Sequence, residues 1–421
     1  MSDTSNFSRR SVLPLIGVAT LATPHGMSQS AVPSLGSAPD QPRALDGPVA
    51  DTGTMFPDIV RLSKRQDFTH SFLGSTYRDI AAYRQGARSV MLDALGMAPP
   101  KVAPRAEVVH KQDLGTFTRE KILFSTTPEF RVPAYLHMPK ERKGKIPAIV
   151  DLHSHGGMFI FGKEKVIDFG QNHPAMVGYH KENYEGRPTA TELVKRGYAV
   201  ITIDAFGFGE RRILMEDDKS AGWDRAKYTL EDVDRLNRRC RTRESTIVKT
   251  LSYAGYTWPG VIAWDDMRTV DYLASRPEVD ASRIGCVGVS LGGYRSLMLA
   301  GLEDRVRAAV VVGFMSTVHP MMERHIDTHS FIHFIPRVHE SLDLPDIVAM
   351  RAPLPLFVQQ CRQDGLFPLK GMEQAVEKIA AIYKKAGSPQ TFKSQFYEQK
   401  HIFNVEMQND AFAWLDQQLK A

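Results

Sequence analysis

Apolar positions along this chain follow two periods. From residue 55 to 96 they recur at helical spacing, with Ile59, Leu62, Tyr77, Ile80, Tyr83, Val90, Leu92 and Leu95 as the apolar set, and Pro99-Pro100 ends the run. From 106 to 139 the pattern turns strand-like. Segments 116–124 and 131–138 flank a Thr-Pro-Glu turn and predict an antiparallel pair leading into a larger sheet. Beyond it, short apolar runs at 146–152, 198–203, 284–289, 306–313 and 355–359 alternate with helical patterns at 192–196, 229–276 and 372–386. A strand over 391–398 and an amphipathic helix over 405–419 follow. Strands without a polar face, separated by helices, predict a mostly parallel sheet covered on both sides. Segments 207–262 and 316–345 are longer than crossovers require. The second is interrupted by Pro320, Pro336 and Pro345, and both are expected to lie over the carboxyl edge of the sheet.

The N-terminal pattern differs. Ser8-Arg9-Arg10-Ser11-Val12-Leu13 precedes a short apolar run from 12 to 22, and Ser28-Gln29-Ser30 is a cleavage candidate. This resembles a twin-arginine export signal, although Val12 and Pro14 depart from its usual residues. The run is too short for a permanent membrane anchor. The expected organisation is a signal over 1–30, a Pro/Ala/Ser/Gly-rich linker over 31–53, a helical extension over 54–105 and a catalytic domain over 106–421, with a periplasmic or secreted address.

Composition adds little: 43% hydrophobic and 24% charged residues are ordinary for a globular chain, and a net charge of +5 over 421 residues does not point to nucleic acid. Cys240, Cys286 and Cys361 have no metal-ligand spacing, and the last two fall in core strands, so buried thiols are expected. Oligomeric state is not legible.

The chemistry concentrates at Gly288-Val289-Ser290-Leu291-Gly292. Strand, Gly-x-Ser-x-Gly, then helix is the nucleophile elbow of an α/β-hydrolase, in which a tight turn lifts the serine hydroxyl above the sheet. A serine needs a base, and the base an orienting acid, in the chain order Ser, Asp, His. Asp364 follows the 355–359 strand and His401 the last strand, which makes Ser290, His401 and Asp364 the candidate nucleophile, base and acid. The oxyanion of a tetrahedral intermediate needs two donors. The amide of Leu291 is one, and the loop His153-Ser154-His155-Gly156-Gly157 offers the second, His155 before Gly156. Glu210 and Arg211 are candidate substrate contacts or a structural pair. Asp265, Asp266 and Arg268 are read as a buried brace. His325, His329 and His333 are four apart and read as pocket lining. No metal or other cofactor is expected.

Gly162-Lys163-Glu164-Lys165, the 204–211 stretch Asp-Ala-Phe-Gly-Phe-Gly-Glu-Arg, Asp265-Asp266-Met267-Arg268, Arg276-Pro277-Glu278-Val279-Asp280, Leu344-Pro345-Asp346-Ile347 and the 401–408 segment followed by Ala413-Trp414-Leu415 resemble the bacterial α/β-hydrolases grouped with acetyl xylan esterases and dienelactone hydrolases. The resemblance covers about 106–420 and implies the same triad. Dienelactone hydrolases carry cysteine at the elbow, so Ser290 points to ester hydrolysis instead. The reading is an exported serine esterase acting on a small-molecule or polysaccharide ester, such as acetyl or methyl groups of plant polysaccharides. Alternatives are a prolyl-oligopeptidase-like peptidase and an inactive binding protein on the same scaffold.

Overall fold

The computed structural model describes residues 50–63, 67–216, 218 and 224–420. The expected signal, and the linker up to residue 49, lie outside them. Nine strands form one sheet: β1 (Glu107–Asp113), β2 (Phe117–Ser125), β3 (Arg131–Pro139), β4 (Ile146–Leu152), β5 (Ala199–Ile203), β6 (Val279–Val289), β7 (Val306–Val312), β8 (Leu356–Cys361) and β9 (Phe392–Tyr397). Their spatial order is β1-β2-β3-β5-β4-β6-β7-β8-β9. The first four strands in that order pair antiparallel, and β5 through β9 run parallel. The helices are α1 (Phe56–Ser63), α2 (Ile80–Leu95), α3 (Pro174–Tyr184), α4 (Thr189–Lys195), α5 (Leu230–Tyr253), α6 (Trp258–Ser275), α7 (Leu291–Leu302), α8 (Val318–Glu323), α9 (Val338–Ser341), α10 (Leu344–Ala349), α11 (Leu369–Lys385) and α12 (Val405–Leu419). This is the α/β-hydrolase arrangement that the sequence predicts.

Alternation along the strands divides the interior in two. Ala148, Val150 and Leu152 of β4 join Ile284 and Cys286 of β6 in one core, closed by residues of α2, α6, α7, α10 and α11. Ile149, Val287 and Val289 point the other way, into a core closed by α3, α4 and α12. Tyr83, Ala87, Met91 and Leu95 of α2 are buried in the first core, so the helical N-terminal segment and the sheet share packing. All three cysteines are free and buried, and burial pushes the Cys286 thiol up to about 12.

Two local readings need correction. The 229–276 span is two helices, because the chain turns at Ala254-Gly255 with Gly255 at φ +83° before Thr257 caps α6. β1 is a separate, fully exposed edge strand with no apolar face to mark it. Residues 325–333, which carry the three histidines read as pocket lining, are turns and one short 3-10 helix.

One feature of the topology positions the site. β4 pairs with β5 on one side and β6 on the other, and Leu152 lies opposite Gly288. At this switch point the loops leaving the two strands diverge and open a crevice beyond their carboxyl ends. The loop after β4 and the turn after β6 face each other across it.

Candidate active site

Ser290 joins β6 to α7 in a backbone conformation, φ +60° and ψ −122°, that L-residues rarely adopt. Its amide donates to Val312 O at 3.0 Å. The flanking glycines are required by contact. A Cβ on Gly292 would stand 1.9 Å from Leu152 O, and one on Gly288 would stand 2.5 Å from the same oxygen. α7 is pinned from behind by Arg295, whose guanidinium is buried and donates to Asp266 of α6 at 2.6 and 2.9 Å. Leu291 is the first residue of α7, so its amide belongs to the first turn, where N–H groups have no partner within the helix and the helix dipole favours negative charge.

His401 follows β9, and its Nδ1 lies 2.6 Å from Oδ2 of Asp364, three residues past the end of β8. The other carboxylate oxygen accepts the Leu366 amide at 2.8 Å. Asp364 is thus held from two sides, with a fully buried side chain. Nε2 of His401 is buried and has no hydrogen-bond partner among the described residues. Ser290, His401, His155, Gly156 and Gly157 line one cleft of about 520 Å³. Nε2 is the ring nitrogen left to exchange a proton, and catalytic contacts of this kind commonly tighten only around a substrate.

The loop after β4 is locked by its side chains. Gly157 N donates to His155 Nδ1 at 3.0 Å, which puts the ring proton on Nε2, 3.0 Å from Glu244 Oε1. The same oxygen accepts Ser330 Oγ at 2.9 Å. His153 donates from Nδ1 to Ser154 O at 3.0 Å and accepts Ala205 N at Nε2 at 3.2 Å. Both histidines therefore spend their ring nitrogens inside the protein, and burial pushes both below the usual histidine range.

α5 roofs the cleft. Asn237 Oδ1 accepts the amides of Phe159 and Ile160 at 2.8 and 3.1 Å, tying the helix to the loop beneath. Asp234, Arg238 and Arg241 also line the cleft. Sequence reasoning passed over Asn237, Arg241 and Glu244, although their spacing of four and three residues marks one polar face of a helix. Glu244 is 89 positions from His155, and no local pattern links them.

His329 and His333 line the cleft, whereas His325 is half-buried, with Nδ1 3.1 Å from Gly365 O, and is not part of its wall. Burial pushes His333 well below the usual range, and neither of its ring nitrogens has a partner among the described residues. Phe314, His329, His333 and Phe367 also bound a second, apolar chamber of about 200 Å³, otherwise walled by residues such as Met321, Ile326 and Leu344.

Glu210 and Arg211 are not brought to the cleft. Glu210 accepts from Lys163 at 2.7 Å and pairs with Lys121 at 3.1 Å, and Arg211 binds Asp265 at 2.6 Å and Asp204 O at 3.2 Å. The turn after β5 carries them onto charges beside the strand, where each enters a separate ion pair rather than pairing with the other. Asp265 and Asp266 do brace α6, through Arg211 and Arg295 respectively, but Arg268 pairs with Asp271 of its own helix. Glu164, Asp204 and Glu210 converge in cation-binding fashion. The cations among them are Lys163, whose buried Nζ lies 3.0, 2.7 and 2.7 Å from their oxygens, and Arg225, 2.9 Å from Glu164 and 3.6 Å from Glu210.

Comparison with known proteins follows the same lines. The profile of the Abhydrolase family matches residues 52–413. The Bacillus subtilis (strain 168) protein named "Putative hydrolase YtaP" is 24% identical over 338 residues, 80% of this chain and 100% of that protein. A crystal structure described as "a putative acetyl xylan esterase" from Bacteroides fragilis superposes with a TM-score of 0.61 at 18% identity, covering 83% of this chain and 84% of that one. A glucuronoyl esterase from Solibacter usitatus superposes with a TM-score of 0.57 at 13% identity, covering 84% and 97%. At these identities the two structures speak for the fold. No helix among the described residues is long and apolar enough to cross a membrane.

Proposed function

The chain belongs to the Abhydrolase family, and from that premise we propose that it is a serine esterase with Ser290, His401 and Asp364 as its catalytic triad. The observation that carries the proposal is the convergence, in one cleft, of a strained serine at a strand–helix turn and a histidine already bonded to a buried aspartate. Ser290 Oγ attacks the ester carbonyl carbon while His401 Nε2 takes the hydroxyl proton. The amides of Leu291 and His155, with Gly156 as the alternative to the latter, receive the oxyanion. Collapse breaks the bond to the alcohol oxygen, which leaves with the proton from His401. Water then attacks the acyl–Ser290 ester, again giving its proton to His401, and the acid departs as Ser290 recovers its proton.

The cleft supports a hydroxyl-rich alcohol. It is open, about 520 Å³, and edged by Asp234, Arg238 and Arg241, charged side chains of a kind suited to hydrogen bonds with sugar hydroxyls. The acetyl xylan and glucuronoyl esterases among the similar structures favour an acetyl or methyl ester of a plant polysaccharide. The Arg9-Arg10 segment favours export to the periplasm or medium.

The test is hydrolysis of p-nitrophenyl acetate by the wild type and Ser290→Ala, followed by acetylated xylan, methyl-esterified polysaccharide and an aminoacyl p-nitroanilide. The expected result is ester hydrolysis that Ser290→Ala abolishes, with release of acetate or methanol from polysaccharide and no cleavage of the anilide. Hydrolysis that persists in Ser290→Ala overturns the proposal.

A further inference from the structure

The Gly162-Lys163-Glu164-Lys165 motif holds two buried lysines, and the structure separates their tasks. Lys163 neutralises three carboxylates. Lys165 makes no comparable ion pair among the described residues. Its side chain is fully buried, and Nζ donates to Ser154 O at 2.8 Å and to His155 O at 3.0 Å. It sits over the Phe208 ring at 4.6 Å and near the Tyr179 ring at 5.5 Å. Two donor bonds from a buried amine are thus spent on consecutive carbonyls of the loop that borders the cleft.

Those carbonyls belong to particular peptide units. Ser154 C=O and His155 N–H are the two ends of one planar trans peptide, and His155 C=O and Gly156 N–H are the ends of the next. In each unit the two groups point in opposite directions. Holding both carbonyls on the buried side turns both amides away from Lys165, toward the side on which His155 and Gly156 line the cleft. Donation to a carbonyl also polarises its peptide and strengthens the N–H at the other end. The loop has further anchors, including Tyr179 Oη to Ser154 Oγ at 2.6 Å and Met158 N to His155 O at 3.1 Å. Lys165 alone among these spans both peptide units.

We infer that Lys165 is a positioning residue of the esterase reaction: it orients and polarises the two peptide units whose amides, His155 and Gly156, are the candidate oxyanion donors after β4. The inference rests on the proposed Ser290 mechanism and adds to it the element that pre-organises one half of the oxyanion site.

The experiment compares wild type, Lys165→Met, Lys165→Gln and Ser290→Ala. It measures melting temperature, kcat and KM on p-nitrophenyl acetate, and the inhibition constant of a trifluoromethyl ketone, which forms a tetrahedral adduct with an active serine. Lys165→Met removes both donors at similar length and is expected to lower kcat about 100-fold with KM within threefold, the size of effect seen when one oxyanion donor is lost. Affinity for the ketone should weaken by the same factor as kcat/KM, a proportionality that a purely structural role would not produce. Lys165→Gln keeps a donor and should recover a large part of kcat. A folded Lys165→Met with kcat within threefold of wild type, or a loss carried by KM with ketone affinity unchanged, overturns the inference. So does failure of both variants to fold, because Lys165 would then serve the fold rather than the loop. If Ser290→Ala is active, the esterase reading itself falls. If Ser290→Ala is inactive and Lys165→Met is not impaired, only the role of Lys165 falls.

Discussion

Nδ1 of His401 lies 2.6 Å from Oδ2 of Asp364, and Nε2 of the same ring is buried without a hydrogen-bond partner among the described residues. The carboxylate accepts the Nδ1 proton, so the lone pair of the neutral ring is left on Nε2, on the side of the cleft. Asp364→Asn preserves shape but can present an amide N–H to Nδ1, which reverses the tautomer. The expected outcome is a kcat on p-nitrophenyl acetate lower by about 10⁴-fold with little change in melting temperature. A loss below tenfold would remove Asp364 from the proposed triad.

Ser290 carries backbone strain for its position. At φ +60° and ψ −122° a side chain costs on the order of 1–3 kcal/mol. Ser290→Gly relieves that strain and gives back part of it through the greater freedom of glycine in the unfolded chain. The variant is expected to be inactive and more stable by about 1 kcal/mol, measured by denaturant unfolding beside Ser290→Ala, which keeps the Cβ. Equal stability of the two variants would mean that the turn stores no strain at this residue.

Phe367 stands between the cleft and the apolar chamber, with its ring 5.1 Å from that of Phe314 and 5.0 Å from that of His329. Phe367→Ala should join the two spaces. Burial of one or two further methylenes is worth about 1–2 kcal/mol, so the ratio of kcat/KM for p-nitrophenyl hexanoate to that for acetate should rise about tenfold. A ratio unchanged from wild type would mean that the chamber is closed off from the acyl group by other walls.

His137 on β3 is fully buried, accepts Arg119 Nε at Nε2 at 2.9 Å, and is pushed down to about 3, first by burial and then by the Arg119 charge. The unfolded chain takes up this proton near pH 6.5, and the folded chain does not until about pH 3. Between those values the unfolded state binds more protons, so stability falls as pH falls. Asp151 works in the opposite sense. Burial raises it to about 7, so its contribution is lost as pH rises from 3.8 toward 7. His137→Gln keeps an acceptor for Arg119 and removes the titration. Between pH 7 and 5 the wild type should lose about 2 kcal/mol more than this variant, read as the difference in denaturation free energy at the two pH values. Parallel pH profiles would show that His137 takes no part in acid sensitivity.

The apolar patterns of the chain were sufficient for the fold class. Strands β2 to β5, β7 to β9 and helix α12 fall within one or two residues of their predicted spans, because burial on both faces or along one stripe leaves a local mark, whereas β6 begins five residues before its predicted start, through a partly exposed segment. β1 leaves none, being exposed throughout, and the break between α5 and α6 rests on one glycine at positive φ. The elbow, Asp364 and His401 could be named in the sequence because each sits at a strand end, where spacing and chain order carry information. What joins them was not legible. Glu244 reaches His155 across 89 residues, and Lys165 grips the carbonyls of Ser154 and His155 from a separate turn. Glu210 and Arg211 sit on a loop that looked close to the cleft, and packing turned them onto Lys163 and Asp265 instead. The sequence by itself determined which elements form and which residues carry chemistry, since periodicity and turn residues act over a few positions. Only the tertiary structure decided which of those residues face the cleft and which hold it in shape, because a hydrogen bond depends on a final separation near 3 Å that no local pattern records.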